Sequence, residues 1–181
     1  YVFGRGGEEA EELAAAKIPF EVVPGVSSIV AAPNYAGIPI THRGMSSSVA
    51  FVTGHEDPAK SESSVNWGRL ARGVDTVVIF MGVNSAAEIA DQLMAHGLGG
   101  ETPAAVIRMG TYEHQKCHVA ALAELAHLIE ARAVTAPAII VIGEVVRLRE
   151  KLNWFDSAKA EAPAHFPFSV SQSSFAIAAS D

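Results

Sequence analysis

Short, unbroken apolar runs alternate along the chain with stretches in which apolar residues recur every three or four positions. The runs read as strands: Phe20–Val23, Val49–Thr53, Thr76–Met81, Ala104–Arg108 and Ala138–Ile142. The first is stopped by Pro24-Gly25. The last lacks any polar alternation, which predicts a strand covered on both faces. The periodic stretches read as helices. Glu8–Lys17 carries Glu8, Glu9, Glu11 and Glu12 in its first turn, where carboxylates suit the positive end of the helix dipole. Ser27–Ala36 is built of small residues and interrupted at Pro33. Trp67–Ala71 is short. Ser85–Ala95 has the spacing of a capping box, Ser85 with Glu88, and a stop at Gly97; Ile89, Leu93 and His96 share one of its faces. Val119–Ala131 places Leu122, Leu125 and Ile129 on one stripe. Gly37–Gly44 has the composition of a connection. Strands alternating with helices imply an α/β fold.

Composition narrows the function classes. Hydrophobic residues make up 49% of the 181 positions and charged residues 18%, which describes a globular chain. The net charge of −7 argues against a general binder of nucleic acid or of anionic membranes. An anionic ligand would need a local cluster of Arg, Lys and His. The single cysteine, Cys117, excludes an internal disulfide and fits a reducing, cytoplasmic compartment. No apolar run reaches the roughly 20 residues of a spanning helix.

Several short motifs invite a chemical reading. Gly4-Arg5-Gly6-Gly7 is not a phosphate loop: it lacks the Lys-Ser/Thr pair, and Glu8-Glu9 occupies the turn where an anion would sit. It serves a tight turn into the helix. His114, Cys117 and His118 fit no standard zinc spacing and are read as a solvated loop, with no metal expected. Ser27-Ser28 opens a helix after Pro-Gly, where hydroxyls and backbone N–H groups point outward together. Two strand ends are more informative. Met81-Gly82 and Met109-Gly110 put an adaptable apolar wall beside a residue that allows close backbone approach. Ligands of α/β sheets bind beyond the carboxyl ends of strands, so the pair suits a flat heterocycle.

Taken in order, "YVFGRGGEE", "IPFEVVPGVSS", "GIPITHRG", "VAFVTGHE", "VIFMGVN", "GTYEHQ" and "PAIIVIGEVVRLREKLNWF" resemble the uroporphyrinogen-III C-methyltransferase family, from Tyr1 to about Phe155. "FGRGGEE" alone indicates only the wider tetrapyrrole methylase group; "GIPITHRG…VTGHE" and "KLNWF" indicate this member. The resemblance implies transfer of methyl groups from S-adenosyl-L-methionine to two pyrrole carbons of uroporphyrinogen III. The product, precorrin-2, leads to sirohaem and cobalamin. It further implies a homodimer and a two-domain architecture with the active site between the domains. Here that means a partial first domain (residues 1–43), a complete second α/β domain with a mixed sheet (residues 47–153), and a disordered tail (residues 156–181). In the family a Gly-Pro-Gly-Asp-type loop, the proton-handling residues and a Gly-Gly-Asp-Pro stretch precede "YVFGRGGEE". The chain is therefore expected to be a fragment, inactive on its own.

The resemblance also implies site residues. Val2, Met81 and Gly110 match positions lining the cofactor pocket. Ser27 and Ser28 match a pair, often Thr-Ala, at its methionine end, and depart from it at both positions. No residue matches a catalytic base. The substrate's many carboxylates call for local cations, with Arg5, His42, Arg43 and Arg108 as candidates. Two other readings share these features: a sister methylase acting on a later corrin intermediate, and a non-catalytic α/β domain that binds a nucleotide-like ligand or dimerises.

Overall fold

The computed structural model describes residues 1–54 and 64–156. His55 and Glu56 of "VTGHE", and all of the expected tail beyond Asp156, lie outside the described residues. The strands are β1 (Val49–Thr53), β2 (Thr76–Phe80), β3 (Pro103–Arg108), β4 (Lys116–Ala121) and β5 (Ala138–Ile142). The helices are α1 (Gly6–Ala15), α2 (Ser28–Tyr35), α3 (Trp67–Gly73), α4 (Ala86–Ala95), α5 (Leu125–Ala131) and α6 (Arg149–Leu152), with 3₁₀ turns at Leu122–Glu124 and Glu144–Leu148.

The strands form one mixed sheet in the order β1-β2-β5-β3-β4. β1 runs parallel to β2, while β5 is antiparallel to both its neighbours and β4 is antiparallel to β3. Since β5 runs backwards between them, β2 and β3 deliver their carboxyl ends to the same edge of the sheet. The apolar runs explain this placement. Val77 to Ile79, Ala104 to Ile107 and Ile140 to Ile142 are all buried, so each strand needs cover on both faces. Ile79, Ala104, Val106, Ile140 and Ile142 pack with α3, α4 and α5 through Trp67, Ile89, Leu93, Leu125 and Ile129. Val78, Ala105, Ile107, Ile139 and Val141 meet α2 and the 3₁₀ turn after β5 through Ile29, Ala32, Ala36, Val145 and Val146.

The structure differs from the sequence expectations in four places. Phe20–Val23 is not a strand: Phe20, Val22 and Val23 are exposed, and no strand among the described residues offers them a ladder. The helix expected at Val119–Ala131 begins only at Leu122. Residues 116–121 belong to β4 because they pair with β3 over its whole length, and the ladder overrides the helical preference of Ala120 and Ala121. For the same reason Cys117 and His118 are strand residues rather than part of a loop; as neighbours in a strand they face opposite sides of the sheet and cannot converge on one metal ion. Ser85 does cap α4, but its hydroxyl makes no capping bond; its carbonyl accepts the Ile89 N–H at 2.9 Å instead.

The C-terminal segment holds α2 on the sheet. Arg149 donates to Ala36 O, at the end of α2, and to Asn153 Oδ1 and Asp156 Oδ2. Trp154 Nε1 donates to Asn34 O at 3.2 Å, and Tyr35 packs its ring 5.0 Å from those of Trp154 and Phe155. Gly37 closes the helix with φ 71°, in the left-handed region, where a Cβ would also strike the backbone of Leu152.

Candidate functional site: a cleft at the end of β2 and β3

A cleft of about 620 Å³ opens at the edge where β2 and β3 end and β5 begins. Its size falls within the usual range of small-ligand pockets. Phe80, Met81, Val83 and Asn84 wall it from β2; Ile107, Met109, Gly110 and Tyr112 from β3. Ala136 to Ile139 form the floor, and Ser28 and Ala32 of α2 close one side. The lining is mainly apolar, with the Ser28 hydroxyl, the Asn84 amide and the Tyr112 hydroxyl as polar groups.

The local backbone explains how two methionines come to face one space. Met81 (φ 53°) and Met109 (φ 51°) are both left-handed, as is Thr111 (φ 77°). Such conformations cost about 1–3 kcal/mol each for a residue with a Cβ and persist where surrounding structure imposes them. Here the chain turns sharply off each strand. Met109 N–H donates to Pro137 O at 3.1 Å, tying the turn after β3 to the loop before β5. Tyr112 N–H closes back on Met109 O, and Gln115 N–H on Tyr112 O.

Gln115 is one of the few buried polar side chains, and its amide joins two walls. Its Oε1 accepts the Thr111 N–H at 2.8 Å, and its Nε2 donates to Tyr35 O at 3.2 Å. Phe3 stands edge-on to Phe80, with ring centroids 5.5 Å apart, which brings the first residues to the cleft. Sequence spacing signals neither contact: Gln115 sits in a polar run, and Phe3 meets a residue far along the chain.

Three of the five expected cofactor positions, Ser28, Met81 and Gly110, line the cleft. Ser27 is adjacent as the N-cap of α2, its carbonyl accepting the N–H groups of Val30 and Ala31. Val2 is exposed and precedes Phe3. Gly110 has a structural duty besides: a Cβ there would run into Ala32, so the glycine lets α2 close against the end of β3.

The four expected cations are not gathered. Arg108 ends β3 at the cleft edge, its Nε donating to Thr135 Oγ1 at 3.3 Å. Arg5 caps α1 near Phe3. His42 and Arg43 lie in a turn bridged by His42 and Ser46. That turn is anchored at the start of β2, through Ser46 Oγ to Thr76 Oγ1 (2.8 Å) and through Ser47 and Ser48 to the Asp75 carboxylate. At a rise of roughly 3.3 Å per residue, the start of β2 is about 16 Å from Met81. The four bonds from Ser47 and Ser48 hold the Asp75 carboxyl below its ordinary value.

In β4, burial pushes the Cys117 thiol up to about 11. Burial, with the positive charges of Arg132, Lys116 and Arg149, lowers the pKa of His118. Among the described residues no group of His, Cys, Asp and Glu is arranged to hold a metal ion, and no helix is long and apolar enough to cross a membrane.

Residues 1–126, which include Met81 and Gly110, match the family model of Tetrapyrrole (Corrin/Porphyrin) Methylases. The chain belongs to this family. Among relatives of this tetrapyrrole methylase is the S-adenosyl-L-methionine-dependent uroporphyrinogen III methyltransferase of Methanosarcina barkeri. It is 55% identical over 153 residues, covering 84% of this chain and 60% of that protein. The uroporphyrinogen-III C-methyltransferase of Synechocystis is 52% identical over 153 residues, covering 84% and 58%. In structure, the uroporphyrin-III C-methyl transferase of Thermus thermophilus complexed with S-adenyl homocysteine superimposes with a TM-score of 0.68 at 35% identity, covering 81% of this chain and 63% of that one. The chain thus spans about 60% of the length of these two curated relatives.

Proposed function

We propose that this tetrapyrrole methylase takes part in the C-methylation of uroporphyrinogen III to precorrin-2, with S-adenosyl-L-methionine as methyl donor and the cleft between β2 and β3 as the donor's site. The observation that carries the reading is the 55% identity to a uroporphyrinogen III methyltransferase across the residues that build the cleft. In this reading Met81 and Gly110 contact the adenosine, Ser27 and Ser28 the methionine end, and Val2 flanks the opening beside Phe3. Arg108, Arg5, His42 and Arg43 are the cations assigned to substrate carboxylates, with Arg108 already at the cleft.

The chemistry asks little covalent work of these groups. The bond between the sulfonium sulfur and the methyl carbon breaks as a bond to the pyrrole carbon forms, and neutral S-adenosylhomocysteine leaves. The protein contributes alignment of the three atoms and exclusion of water. The proton that departs from the substrate goes to a base that this reading assigns to the part of the relatives' length that the chain does not span. The same reading takes residues 1–43 as part of a first domain and 47–153 as the second, with α2 as the joint, since α2 packs on the sheet while residues 18–27 pack on nothing comparable. It also takes the enzyme as a cytoplasmic homodimer. Calorimetric titration with S-adenosylhomocysteine tests the site: wild-type binding, and a severalfold loss in Met81→Ala, are expected. Wild-type affinity in both Met81→Ala and Met81→Arg would refute the placement.

A further inference from the structure

At the sheet edge that carries the cleft, β3 and β4 set two cations side by side. Arg108, the last residue of β3, is directly opposite Lys116, the first of β4. Cross-strand partners share a face, and like charges so placed repel. His118, two residues on, stands on that same face. Arg132 follows α5, which packs on β3 and β4 and carries the chain back towards the start of β4; its charge, like those of Lys116 and Arg149, reaches His118. The Arg108 guanidinium is held by Thr135, one residue before the cleft-lining Ala136. Among the described residues no carboxylate answers this charge. The ion pairs among the described residues are Arg147 with Glu144 and Arg149 with Asp156. Glu113, in the loop between β3 and β4, and Glu130, on α5, pair with none of the four. In a chain of net charge −7, three cations with no ion pair among the described residues stand at one end of one sheet face.

We propose that Arg108, Lys116 and Arg132, with His118 among them, form an anchoring site for the peripheral carboxylates of a polycarboxylate tetrapyrrole whose reacting edge lies over the cleft. The inference rests on the function proposed above and names residues for its substrate. Lys116 and Arg132 are exposed, so they reach outward to a ligand rather than into the core. Arginine supplies a planar fork that matches a carboxylate, and lysine a point charge. Attraction between exposed charges weakens with salt, which gives the site a signature distinct from apolar contact.

The test measures two ligands separately on the chain: S-adenosylhomocysteine by calorimetry, and uroporphyrin III, the oxidised form of the substrate, by fluorescence quenching at low and high ionic strength. The combined variant Lys116→Glu/Arg132→Glu is expected to bind uroporphyrin about tenfold or more weakly at low salt, to lose most of the wild-type salt dependence, and to bind S-adenosylhomocysteine unchanged. Lys116→Arg should retain wild-type behaviour. Uroporphyrin binding that is unaltered in the double variant, or absent in the wild type, overturns the anchoring site; if S-adenosylhomocysteine still binds, the methylase reading survives. Patch-dependent uroporphyrin binding without any binding of S-adenosylhomocysteine leaves the anchoring site standing and refutes the cofactor cleft.

Discussion

At the scale of single residues, Gly110 shows that a glycine beside a binding cleft can answer to packing first. Gly110→Ala places a methyl group against Ala32. Overpacking of this kind costs about 1–3 kcal/mol, so the midpoint of urea unfolding should fall. Ala32→Gly in the same chain should recover part of the loss, since it removes the atom that is struck; a double variant no more stable than Gly110→Ala would refute this account. Asp75 makes a different prediction. Its folded-state pKa is depressed by the Ser47 and Ser48 bonds. The stabilisation is therefore present above the unfolded carboxylate value, about 3.9, and is lost as pH falls through the lower folded value. Asp75→Asn should be less stable than wild type at neutral pH, with the gap closing in acid. Cys117, with its pKa raised to about 11 by burial, should react slowly with a thiol-directed disulfide at pH 8 and fast once urea unfolds the chain.

At the scale of elements, α2 depends on a segment more than a hundred residues away. Arg149 bonds the carbonyl that ends α2 and pairs with Asp156. Hydrogen bonds from a charged group contribute about 1.5–3 kcal/mol, reduced here because the pair is partly solvated. Arg149→Met should lower stability by roughly 1–2 kcal/mol, and the Trp154 fluorescence should shift towards that of a solvated indole. An unshifted spectrum would mean that the aromatic cluster holds α2 unaided. The sequence made some elements plain and hid others for the same physical reason. β2, β3 and β5 are legible because burial on two faces demands unbroken apolar runs. β4 is an edge strand and alternates Lys116, Cys117, His118 and Val119, so in sequence the helical stripe of Leu122, Leu125 and Ile129 runs on back over its end. The two Met-Gly strand ends announced the cleft. Gln115, Phe3 and Tyr112 did not, because what places them is a contact with a distant residue, and no local period encodes that.

At the scale of the molecule, apolar exposure is concentrated in the first thirty residues. Tyr1, Val2, Phe3, Ile18, Phe20, Val22, Val23, Val26 and Val30 are all exposed, whereas the central strands β2, β5 and β3 are covered on both faces. Apolar surface of this extent favours association. Sedimentation should show the chain self-associating with concentration, and Val23→Glu/Val26→Glu should shift it towards monomer; a wild type that stays monomeric at high concentration would contradict this. The order of the sheet carries a further consequence, for the time course of folding. Among the described strands β5 is the last to leave the ribosome, yet it lies in the middle and is the one strand that pairs with both β2 and β3. Until Ala138–Ile142 has been synthesised, the nascent chain holds two separate strand pairs, each with one bare apolar edge. The carboxyl ends of β2 and β3 have then no fixed distance between them. At about 5–20 residues per second, that interval lasts several seconds after β2 emerges, and during it the cleft lacks the strand that pairs with both of its walls.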